Sequence, residues 1–463
     1  MDVRITKLPD SGINNEPGTR ISGTIRAITS KSAAHRLLIC AALADSETFL
    51  TYSQSSQDID ATIRCLQALG AGITFKEDGL LITPINRSGL NKEEIYLLNC
   101  GESGATLRFI LPVCGALGLS VSITMSGRLP SRPLTELYDE MTSHGCKLSK
   151  PGLSPLKCEG QLINGTYTLP GNITSQYVSG LLFALPLLRS NGDKGESRLH
   201  VTGVLESRPY VDMTLDALRL FGVTVLEEGQ SFRIPGGQTI CSQKNVYVEG
   251  DWSNAAFWLC AGALGKNAVN NADGNSVGAN SAGAVSRNAV SQVTCTGLNL
   301  NSRQGDKAIV ELLSRYGANV VCKDDAVTVS PAALRGINID AGDIPDLVPV
   351  LAAVAAAAEG KTVIRNAARL RMKESDRLHT VAASLSALGA DITETEDGLV
   401  IIGKKTLTGG ETQSYGDHRI AMTAAVLSTV CTGPVIIRDA EAVRKSYPDF
   451  FEDFKTALGG ELL

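Results

Sequence analysis

The stretch 369–377, of sequence RLRMKESDR, places cationic and acidic side chains close together. It follows an apolar segment that ends at Ile364 and precedes a helical pattern that begins near Leu378. Ser375 has the side chain of an N-cap residue, and Asp376 suits the first turn of a helix. The sequence therefore predicts a helix that starts at the end of a charged loop.

The cations of this stretch allow two interpretations. If the helical geometry extends backwards, Arg369, Lys373 and Arg377 are spaced i, i+4 and share one face. A solvated helix start with surface ion pairs would account for them without any ligand. An anion-binding site with a carboxylate among its cations would use the same residues, so the rest of the chain has to decide.

Length and charge limit the classes of ligand. The chain has 463 residues, a formal net charge of −5 and 43% hydrophobic residues. This length allows two domains with substantial cores. A general nucleic-acid-binding protein needs a broad basic surface, which the net charge disfavours. We therefore expect any anionic ligand to be held by cations that are concentrated in one place.

The sequence patterns favour a cytoplasmic protein without a membrane or metal partner. No apolar run approaches the roughly 18 residues of a membrane span, and the Ala-rich segment 347–358 predicts a buried helix instead. The first residues show no secretory or transit pattern. The 11 cysteines form no CxxC pair, which is typical of reduced core thiols and not of disulfides or zinc ligands.

A helical pattern that ends in glycine and continues into a strand pattern recurs along the chain. Glycine is favoured there because the residue after a helix often adopts left-handed backbone. The copies recur at intervals of about 70–77 residues, with one longer interval between the third and the fourth. These glycines are Gly70, Gly145, Gly222, Gly317, Gly389 and Gly459.

A second series of short polar helix starts runs in step with the first. Each start precedes an Ala/Leu-rich helix that is too apolar to lie on the surface. The starts are Ser32, Ser103, Ser175, Ser253, Asp346 and Asp417. Together the two series predict a repeated unit. Each unit consists of a strand, a buried helix, a strand, an outer helix and a hairpin such as 391–402.

The units predict an α/β (α+β) fold of two pseudo-threefold domains, each of three repeated β-α-β-α-β-β units. The last unit lacks its hairpin and the first strand, 3–8, has no unit, so the N-terminus is expected to complete the C-terminal half. One domain would comprise 1–29 and 250–463, and the other 30–249. The longer interval falls in a flexible Asn/Ser/Gly-rich insertion at about 265–293.

Such domains would aim the N-termini of their buried helices at the gap between them. Helix N-termini carry unpaired N–H groups and partial positive charge, which suit phosphate and carboxylate. Lys31, His35 and Arg36 fall on the first turns of one helix, where cations oppose the helix dipole and a purely structural account predicts acids. This segment therefore favours an anion site.

Other candidates carry less specific signals. Segment 101–104 and residues 174–176 offer backbone, hydroxyl and amide groups, but each is equally consistent with an ordinary helix cap. Arginine binds carboxylate or phosphate bidentately, and the loop 126–133, the segments 207–210 and 417–419, and Lys445 supply further candidates.

Three further polar residues could have purely structural roles that involve no ligand. Asp346 heads a wholly apolar helix, where the role of N-cap would suffice. His35 and His418 could be packing residues, and the five scattered histidines show no metal-ligand spacing.

Taken together, these segments resemble the enolpyruvyl transferase family, in order along essentially the whole chain. The motifs are Ser30–Ser32 with Arg36, 371–377 (RMKESDR) and 417–422 (DHRIAM). The resemblance implies inside-out α/β barrels and a cytoplasmic monomer without metal or organic cofactor. It also implies transfer of the enolpyruvyl group of phosphoenolpyruvate to the 5-hydroxyl of shikimate 3-phosphate, with release of phosphate, the sixth step of chorismate (aromatic amino acid) biosynthesis.

The resemblance also implies the site residues. Shikimate 3-phosphate would be held by Lys31, Ser32, Arg36, Thr174, Ser175, Gln176, Ser207, Tyr210, Asp346 and Lys373. Phosphoenolpyruvate would meet Lys31, Gly104, Arg128, Gln176, Arg377, Arg419 and Lys445. Asp346 is similar to the family's base near the 5-hydroxyl and Glu374 to its proton-transfer carboxylate, with Lys31 as a third catalytic residue. Arg369 stands where the family commonly has Asn, and it is left outside this set.

Two alternatives remain. The related transferase that acts on UDP-N-acetylglucosamine would carry a reactive Cys near 120–133, where this chain has Arg128 and no Cys. A catalytically silent anion- or RNA-binding protein of the same repeat fold is disfavoured by the presence of both Asp346 and Glu374 and by the net charge of −5.

Overall fold

The computed structural model describes residues 1–6, 21–189, 195–265 and 291–458. Its strands are β1 (Val3–Ile5), β2 (Ser22–Arg26), β3 (Thr48–Thr51), β4 (Gly72–Lys76), β5 (Gly79–Thr83), β6 (Ile95–Asn99), β7 (Ser120–Thr124), β8 (Cys146–Leu148), β9 (Leu156–Gly160), β10 (Thr166–Pro170), β11 (Glu196–Thr202), β12 (Leu226–Glu228), β13 (Ser231–Pro235), β14 (Asn245–Tyr247), β15 (Gln292–Thr296), β16 (Asn319–Lys323), β17 (Ala326–Ser330), β18 (Asn338–Asp340), β19 (Lys361–Arg365), β20 (Asp391–Glu394), β21 (Leu399–Ile402), β22 (Gly410–Gln413) and β23 (Val435–Arg438).

The α-helices are α1 (Lys31–Ala42), α2 (Gln57–Ala68), α3 (Gly104–Leu117), α4 (Thr135–Ser143), α5 (Ser175–Ala184), α6 (Arg208–Leu220), α7 (Trp252–Leu264), α8 (Ile309–Tyr316), α9 (Val348–Ala357), α10 (Arg377–Ala387), α11 (His418–Ser428) and α12 (Phe450–Leu458). Short 3-10 helices occupy Leu129–Ser131, Leu185–Leu187, Gly305–Ala308, Pro345–Leu347, Ala368–Met372 and Ala440–Lys445. Within the described ranges, no helix is long and apolar enough to cross a membrane.

The described strands form six sheets, five of four strands and one of three. In β6-β7-β9-β8, the buried helix α3 joins the parallel pair β6 and β7, and the antiparallel hairpin β8–β9 follows the outer helix α4. The same order recurs in β14-β3-β5-β4, β10-β11-β13-β12, β2-β15-β17-β16 and β18-β19-β21-β20. The repeated β-α-β-α-β-β unit predicted from the sequence is confirmed.

The last sheet is completed by the beginning of the chain. β22 and β23 are parallel, and β1 pairs antiparallel with β23, from Val3 opposite Ile437 to Ile5 opposite Val435. This pairing covers the edge that the sequence predicted to be open at the C-terminal end.

Two strands are exchanged between the halves of the chain. β2 precedes α1 but pairs with β15, whereas β14 precedes α7 but pairs with β3. The two connecting segments lie side by side, with a β-bridge between Thr29 and Gly250. The Ser30 N–H donates to the Glu249 carbonyl at 2.9 Å. The chain therefore crosses from one half to the other twice, and the two crossing segments are neighbours.

Two hydrophobic cores form, one in each half. The core of domain 1 contains buried side chains from 33–248, and the core of domain 2 contains those from 3–28 and 252–457. In domain 2 the buried helices α7, α9 and α11 contact one another, and in domain 1 α3 contacts both α1 and α5. Among the described residues, the sheets around these helices remain separate and do not close into a barrel. The boundaries at 29/30 and 249/250 stay a prediction, which the two cores support.

The predicted helix ends agree with the structure more closely than the predicted helix starts. Gly70, Gly145, Gly222, Gly317 and Gly389 all have φ between +77° and +105°, as their predicted role requires. Gly459 and most of the predicted insertion lie outside the described residues. Three N-caps, Ser30, Thr174 and Asp251, lie one or two residues before the predicted starts.

The prediction of Ser375 as an N-cap is wrong. Asp376 caps α10, because its carboxylate accepts a hydrogen bond from the His379 N–H at 3.2 Å. The Ser375 hydroxyl instead donates to Asp417 Oδ2 at 3.1 Å. The helical geometry does not extend back through Lys373, whose backbone is extended after the 3-10 segment 368–372.

Candidate active site

A cavity of about 1010 Å³, including the solvent at its mouth, opens between the two domains. Domain 1 lines it with the first turns of α1, α3, α5 and α6, and domain 2 with the segments before α9 and α10 and the start of α11. Eight of the lining side chains are Lys or Arg and three are Asp or Glu. The cavity thus concentrates positive charge in a chain of net charge −5.

The structure brings the predicted site residues together. The main cavity is lined by Lys31, Ser32, Arg36, Gly104, Thr174, Ser175, Gln176, Ser207, Tyr210, Asp346, Lys373, Glu374, Arg377 and Arg419. Arg128 and Lys445 line a second cavity of about 440 Å³, which shares Arg132 and Glu374 with the first. The prediction therefore identified residues that meet in space, although their individual roles stay predictions.

Arg377 lies at the centre of the acidic residues and its side chain is 2% exposed. Its Nε donates to Asp417 Oδ2 at 2.7 Å, its Nη1 to Asp346 Oδ1 at 2.8 Å and its Nη2 to Glu374 Oε2 at 2.6 Å. Burial acts to lower the pKa of this guanidinium, but the three carboxylates raise it above its ordinary value. One buried cation therefore fixes both carboxylates that were predicted to transfer protons.

The interpretation of Asp346 as an N-cap is wrong. Asp346 lies in the 3-10 turn before α9, and that helix has no side-chain cap. Its carboxylate instead lies 3.1 Å from Arg419 Nη2 and 3.8 Å from Lys373 Nζ, in addition to its bond with Arg377. Burial acts to raise the pKa of this carboxyl, but Arg419, Lys373 and Arg377 together hold it below its ordinary value. Asp346 is therefore an ionised acceptor on the cavity wall.

Glu374 connects the two cavities. Its Oε1 lies 3.3 Å from Arg132 Nη1, which domain 1 supplies, and 3.9 Å from Lys445 Nζ. Burial acts to raise the pKa of Glu374, but Arg377, Arg132 and Lys445 hold it well below its ordinary value. A ligand anion that neutralised these cations would raise the affinity of this carboxylate for a proton.

The cations on α1 are held by partners in domain 1. Lys31 Nζ lies 2.8 Å from Asp58 Oδ2. Burial acts to lower the pKa of this ammonium, but Asp58 and Glu374 raise it above its ordinary value. Arg36 donates to the Tyr210 carbonyl at 2.7 Å and to Thr214 Oγ1 at 2.9 Å. These contacts offset the unfavourable position of two cations at a helix N-terminus.

Sequence reasoning missed Arg108 and gave Arg132 no role. Arg108 donates from Nη1 to Gln176 Oε1 at 2.8 Å and from Nη2 to the Pro133 carbonyl at 2.7 Å. A signal was present, because Arg108 stands one turn after Gly104 in an otherwise apolar helix, as Arg36 does after Ser32. Asp58 and Arg369 also line the cavity without having been predicted there.

The histidines differ in their surroundings. His418 is 1% exposed, and neither ring nitrogen has a hydrogen-bond partner among the described residues. Burial, together with Lys31, Arg419 and Arg377, holds its pKa well below the ordinary value, so the ring is neutral. His35 instead contacts Thr62 Oγ1 at 2.7 Å through Nδ1.

The cations of the stretch 369–377 have different surroundings in the structure. Arg371 forms surface ion pairs with Asp376 and Glu394 and does not line either cavity. Lys373 and Arg377 line the main cavity despite the absence of a common helical face.

Comparisons with known proteins give one consistent answer. The sequence profile of EPSP synthase (3-phosphoshikimate 1-carboxyvinyltransferase) matches residues 15–287 and 280–454. The 3-phosphoshikimate 1-carboxyvinyltransferase of Clostridium kluyveri is 41% identical over 448 residues, 96% of either chain. That of Clostridium beijerinckii is 41% identical over 451 residues, again 96% of either chain.

Solved structures share the fold. The EPSP synthase of Acinetobacter baumannii superposes with a TM-score of 0.78 at 25% identity, covering 100% of this chain and 99% of the other. The enolpyruvyl transferase NikO of Streptomyces tendae has a TM-score of 0.73 at 18% identity, with 100% and 98% covered, which shows the fold alone. With sequence profile, close relatives and two-domain fold in agreement, the chain belongs to the EPSP synthase family of enzymes.

Proposed function

We propose that the protein transfers the enolpyruvyl group of phosphoenolpyruvate to the 5-hydroxyl of shikimate 3-phosphate and releases phosphate. The observation that carries the proposal is the pair of carboxylates, Asp346 and Glu374, which one buried arginine fixes inside a cavity of cations. Two anionic reactants repel each other in water, and a concentration of positive charge in one cavity offsets that repulsion.

Each carboxylate has a distinct task. Asp346 accepts the proton of the 5-hydroxyl, whose oxygen then attacks C2 of phosphoenolpyruvate, while the methylene carbon gains a proton from Glu374. The product of this addition is a tetrahedral ketal. Loss of a methyl proton to Glu374 restores the double bond and expels phosphate, which leaves with the proton that Asp346 had taken up. Proton transfer by positioned side chains contributes typically about 10²- to 10⁴-fold in rate.

Substrate binding prepares Glu374 for this task. Arg132 and Lys445 hold the carboxylate ionised, and both line the second cavity, beside the predicted phosphoenolpyruvate contact Arg128. When the phosphate or carboxylate of phosphoenolpyruvate neutralises these cations, the pKa of Glu374 rises towards the range useful for proton transfer. Lys31, paired with Asp58, remains a protonated donor at the wall of the main cavity.

Arg377 is expected to contact phosphoenolpyruvate while it holds the carboxylates. Its guanidinium has five N–H groups, and one N–H of Nη1 remains after the bonds to Asp346, Glu374 and Asp417. Arg419 donates from Nη1 to the Asp346 carbonyl at 3.1 Å and likewise keeps donors for an anion.

The test is phosphate release from phosphoenolpyruvate with each of two acceptors, shikimate 3-phosphate and UDP-N-acetylglucosamine, offered separately. Release with shikimate 3-phosphate alone is the expected result. Release with the second acceptor alone would assign the protein to the related transferase. Folded protein that releases phosphate with neither would support a silent binding protein.

We also propose a cytoplasmic monomer that needs no metal or organic cofactor. Nine of the 11 cysteines are buried as small core side chains, which suits a reducing compartment. Light scattering coupled to size-exclusion chromatography tests the oligomeric state, and activity after exhaustive chelation tests the independence from metal.

A further inference from the structure

Arg369 links the two domains at the edge of the cavity. It lies in the 3-10 segment 368–372 of domain 2 and is 9% exposed. Its Nε forms an ion pair with Glu206, its Nη1 donates to Ser207 Oγ at 3.2 Å and its Nη2 donates to the Gly342 carbonyl at 2.6 Å. Since Glu206 and Ser207 belong to domain 1 and Gly342 to domain 2, one buried guanidinium holds both domains.

The turn that Arg369 contacts is docked on domain 2 by its backbone as well. The Ser207 N–H donates to the Gly342 carbonyl at 3.2 Å, and the Arg208 N–H donates to Asp343 Oδ1 at 3.2 Å. Arg369 and Ser207 therefore share one acceptor, the Gly342 carbonyl. The turn 206–208 is thus held by charge, hydroxyl and backbone contacts together.

Ser207 has an unusual backbone conformation. Its φ of +55° and ψ of +38° lie in the left-handed region, and its side chain does not cap α6. This region is unfavourable for residues other than glycine, so the surrounding contacts must hold Ser207 there. The residue lines the cavity, and α6 begins directly after it.

We propose that Arg369 is a positioning residue that acts through Glu206 and Ser207. It seats the turn 206–208 against domain 2, and the seated turn presents the Ser207 hydroxyl to the acceptor substrate. This inference rests on the proposed function, which supplies that acceptor. Direct contact between Arg369 and the acceptor is the competing explanation, because Arg369 itself lines the cavity.

The test compares Arg369→Ala, Glu206→Gln and the double variant by steady-state kinetics. We expect each single variant to raise the KM for shikimate 3-phosphate about tenfold, because each breaks a charged contact of the turn. The kcat should change by less than about twofold, since the contact does not involve the reacting atoms. The double variant should be no worse than Arg369→Ala, because both residues act as one unit.

Direct contact predicts a different pattern. Glu206→Gln would then leave the KM for shikimate 3-phosphate unchanged, while Arg369→Ala would raise it. That result would overturn the proposal. Arg371→Ala is the matched control, because Arg371 lies in the same 3-10 segment but forms its ion pairs with Asp376 and Glu394, and its hydrogen bonds to the carbonyls of 395 and 396, within its own domain.

Amide hydrogen exchange separates this inference from the proposed function. In protein without added ligands, Arg369→Ala and Glu206→Gln should speed exchange at the amides of residues 207, 208 and 210, and Arg371→Ala should not. Wild-type protein that releases no phosphate with shikimate 3-phosphate would contradict the proposed function alone. If the wild-type protein is active, and Arg369→Ala and Glu206→Gln have the same amide exchange rates and the same KM for shikimate 3-phosphate as the wild type, the positioning role of Arg369 is contradicted.

Discussion

At the scale of single residues, the acids of the site are controlled by the cations around them. Asp346 lies within 4 Å of Arg377, Arg419 and Lys373, so its carboxylate remains ionised although it is largely buried. Such a carboxylate is a weak base until a substrate anion occupies the same cations. In the proposed mechanism, proton uptake by this carboxylate therefore depends on the binding of the substrate anions.

Asp346→Asn is expected to lower kcat by about 10²- to 10⁴-fold, because the amide keeps the shape of the carboxyl group but cannot take up the 5-hydroxyl proton. The dissociation constant for shikimate 3-phosphate, measured by calorimetry, should stay broadly unchanged. Asp391→Asn, which alters an exposed carboxylate on β20 of the same domain, serves as the control. Unaltered turnover in Asp346→Asn would remove this residue from the mechanism.

Lys373 gives the reaction a dependence on pH. Burial lowers the pKa of its ammonium to about 8, against the opposing effect of Asp346. The residue is charged below this pH and neutral above it, so the KM for shikimate 3-phosphate should rise as pH increases through about 8. Lys373→Arg keeps its charge and should move this rise to higher pH. Identical pH profiles for both proteins would contradict the assignment.

The residue types of the site could be predicted from sequence, but several of their roles could not. An acid at the start of an apolar helix is most simply a cap, and only the fold shows that Asp346 faces three cations. Arg108 was missed because one cation in an apolar helix gives no periodic signal. Arg132 was seen in its loop, yet its partner Glu374 lies in the other domain.

At the scale of elements, the close packing of α3 on α5 positions Arg108 and Gln176 on the wall of the main cavity. Pro112 lies inside α3 and has no N–H, so the Arg108 carbonyl receives no hydrogen bond from it. A Cβ added to Gly180 of α5 would lie 2.1 Å from that carbonyl oxygen. The helices can therefore approach only because position 180 is glycine.

Gly180→Ala should force α3 and α5 apart and lower the free energy of unfolding by about 1–3 kcal/mol, the usual effect of overpacking a core. Because Arg108 and Gln176 bond across these helices, kcat/KM should fall as well. Urea denaturation and steady-state kinetics measure the two effects. Gly72→Ala is the control, since its Cβ would lie 3.1 Å from the Thr83 side chain and no closer than 3.9 Å to the Thr83 carbonyl oxygen. An equal loss of stability in both variants would contradict this account.

The elements themselves followed from sequence because each unit repeats the same hydrophobic pattern and the same glycine. Helix starts were less accurate, since Ser375 and Asp376 are both good N-caps and only the bond to the His379 N–H distinguishes them. The 3-10 geometry of 368–372 (ARLRM) leaves no periodic signature, because the segment is only five residues long and two of them are charged.

At the scale of the whole molecule, polar contacts across the gap hold the domains together. Arg132 reaches Glu374, Lys445 lies 3.1 Å from Glu102, and Arg369 pairs with Glu206. Partly exposed ion pairs weaken as salt screens them. The relative position of the domains should therefore respond both to ionic strength and to bound anions.

Small-angle scattering tests this expectation. The radius of gyration of protein without added ligands should increase with salt. Shikimate 3-phosphate together with an unreactive analogue of phosphoenolpyruvate should reduce it, because both anions are predicted to contact cations of both domains. UDP-N-acetylglucosamine with the same analogue is the control. Profiles that superimpose under all these conditions would contradict closure of the cleft.

The arrangement of the whole molecule was the least accessible to sequence reasoning. The incomplete last unit indicated that the N-terminal strand returns to the C-terminal half, and β1 does so. The exchange of β2 and β14 could not be foreseen in detail, because each strand is short and its pattern does not specify which half of the chain supplies its partner.

The strand pairings also set an order of events on the ribosome. Residues 3–5 emerge early but must wait for residues 435–437, and β2 must wait for β15. At translation speeds of about 5–20 residues per second, the first wait is on the order of tens of seconds. All strands of domain 1 lie between 48 and 247. We therefore expect domain 1 to fold while the later part of domain 2 is still being synthesised. The half that carries Asp346 and Glu374 is then finished after domain 1, and the nascent chain gains both carboxylates only once all strands of domain 1 have been synthesised.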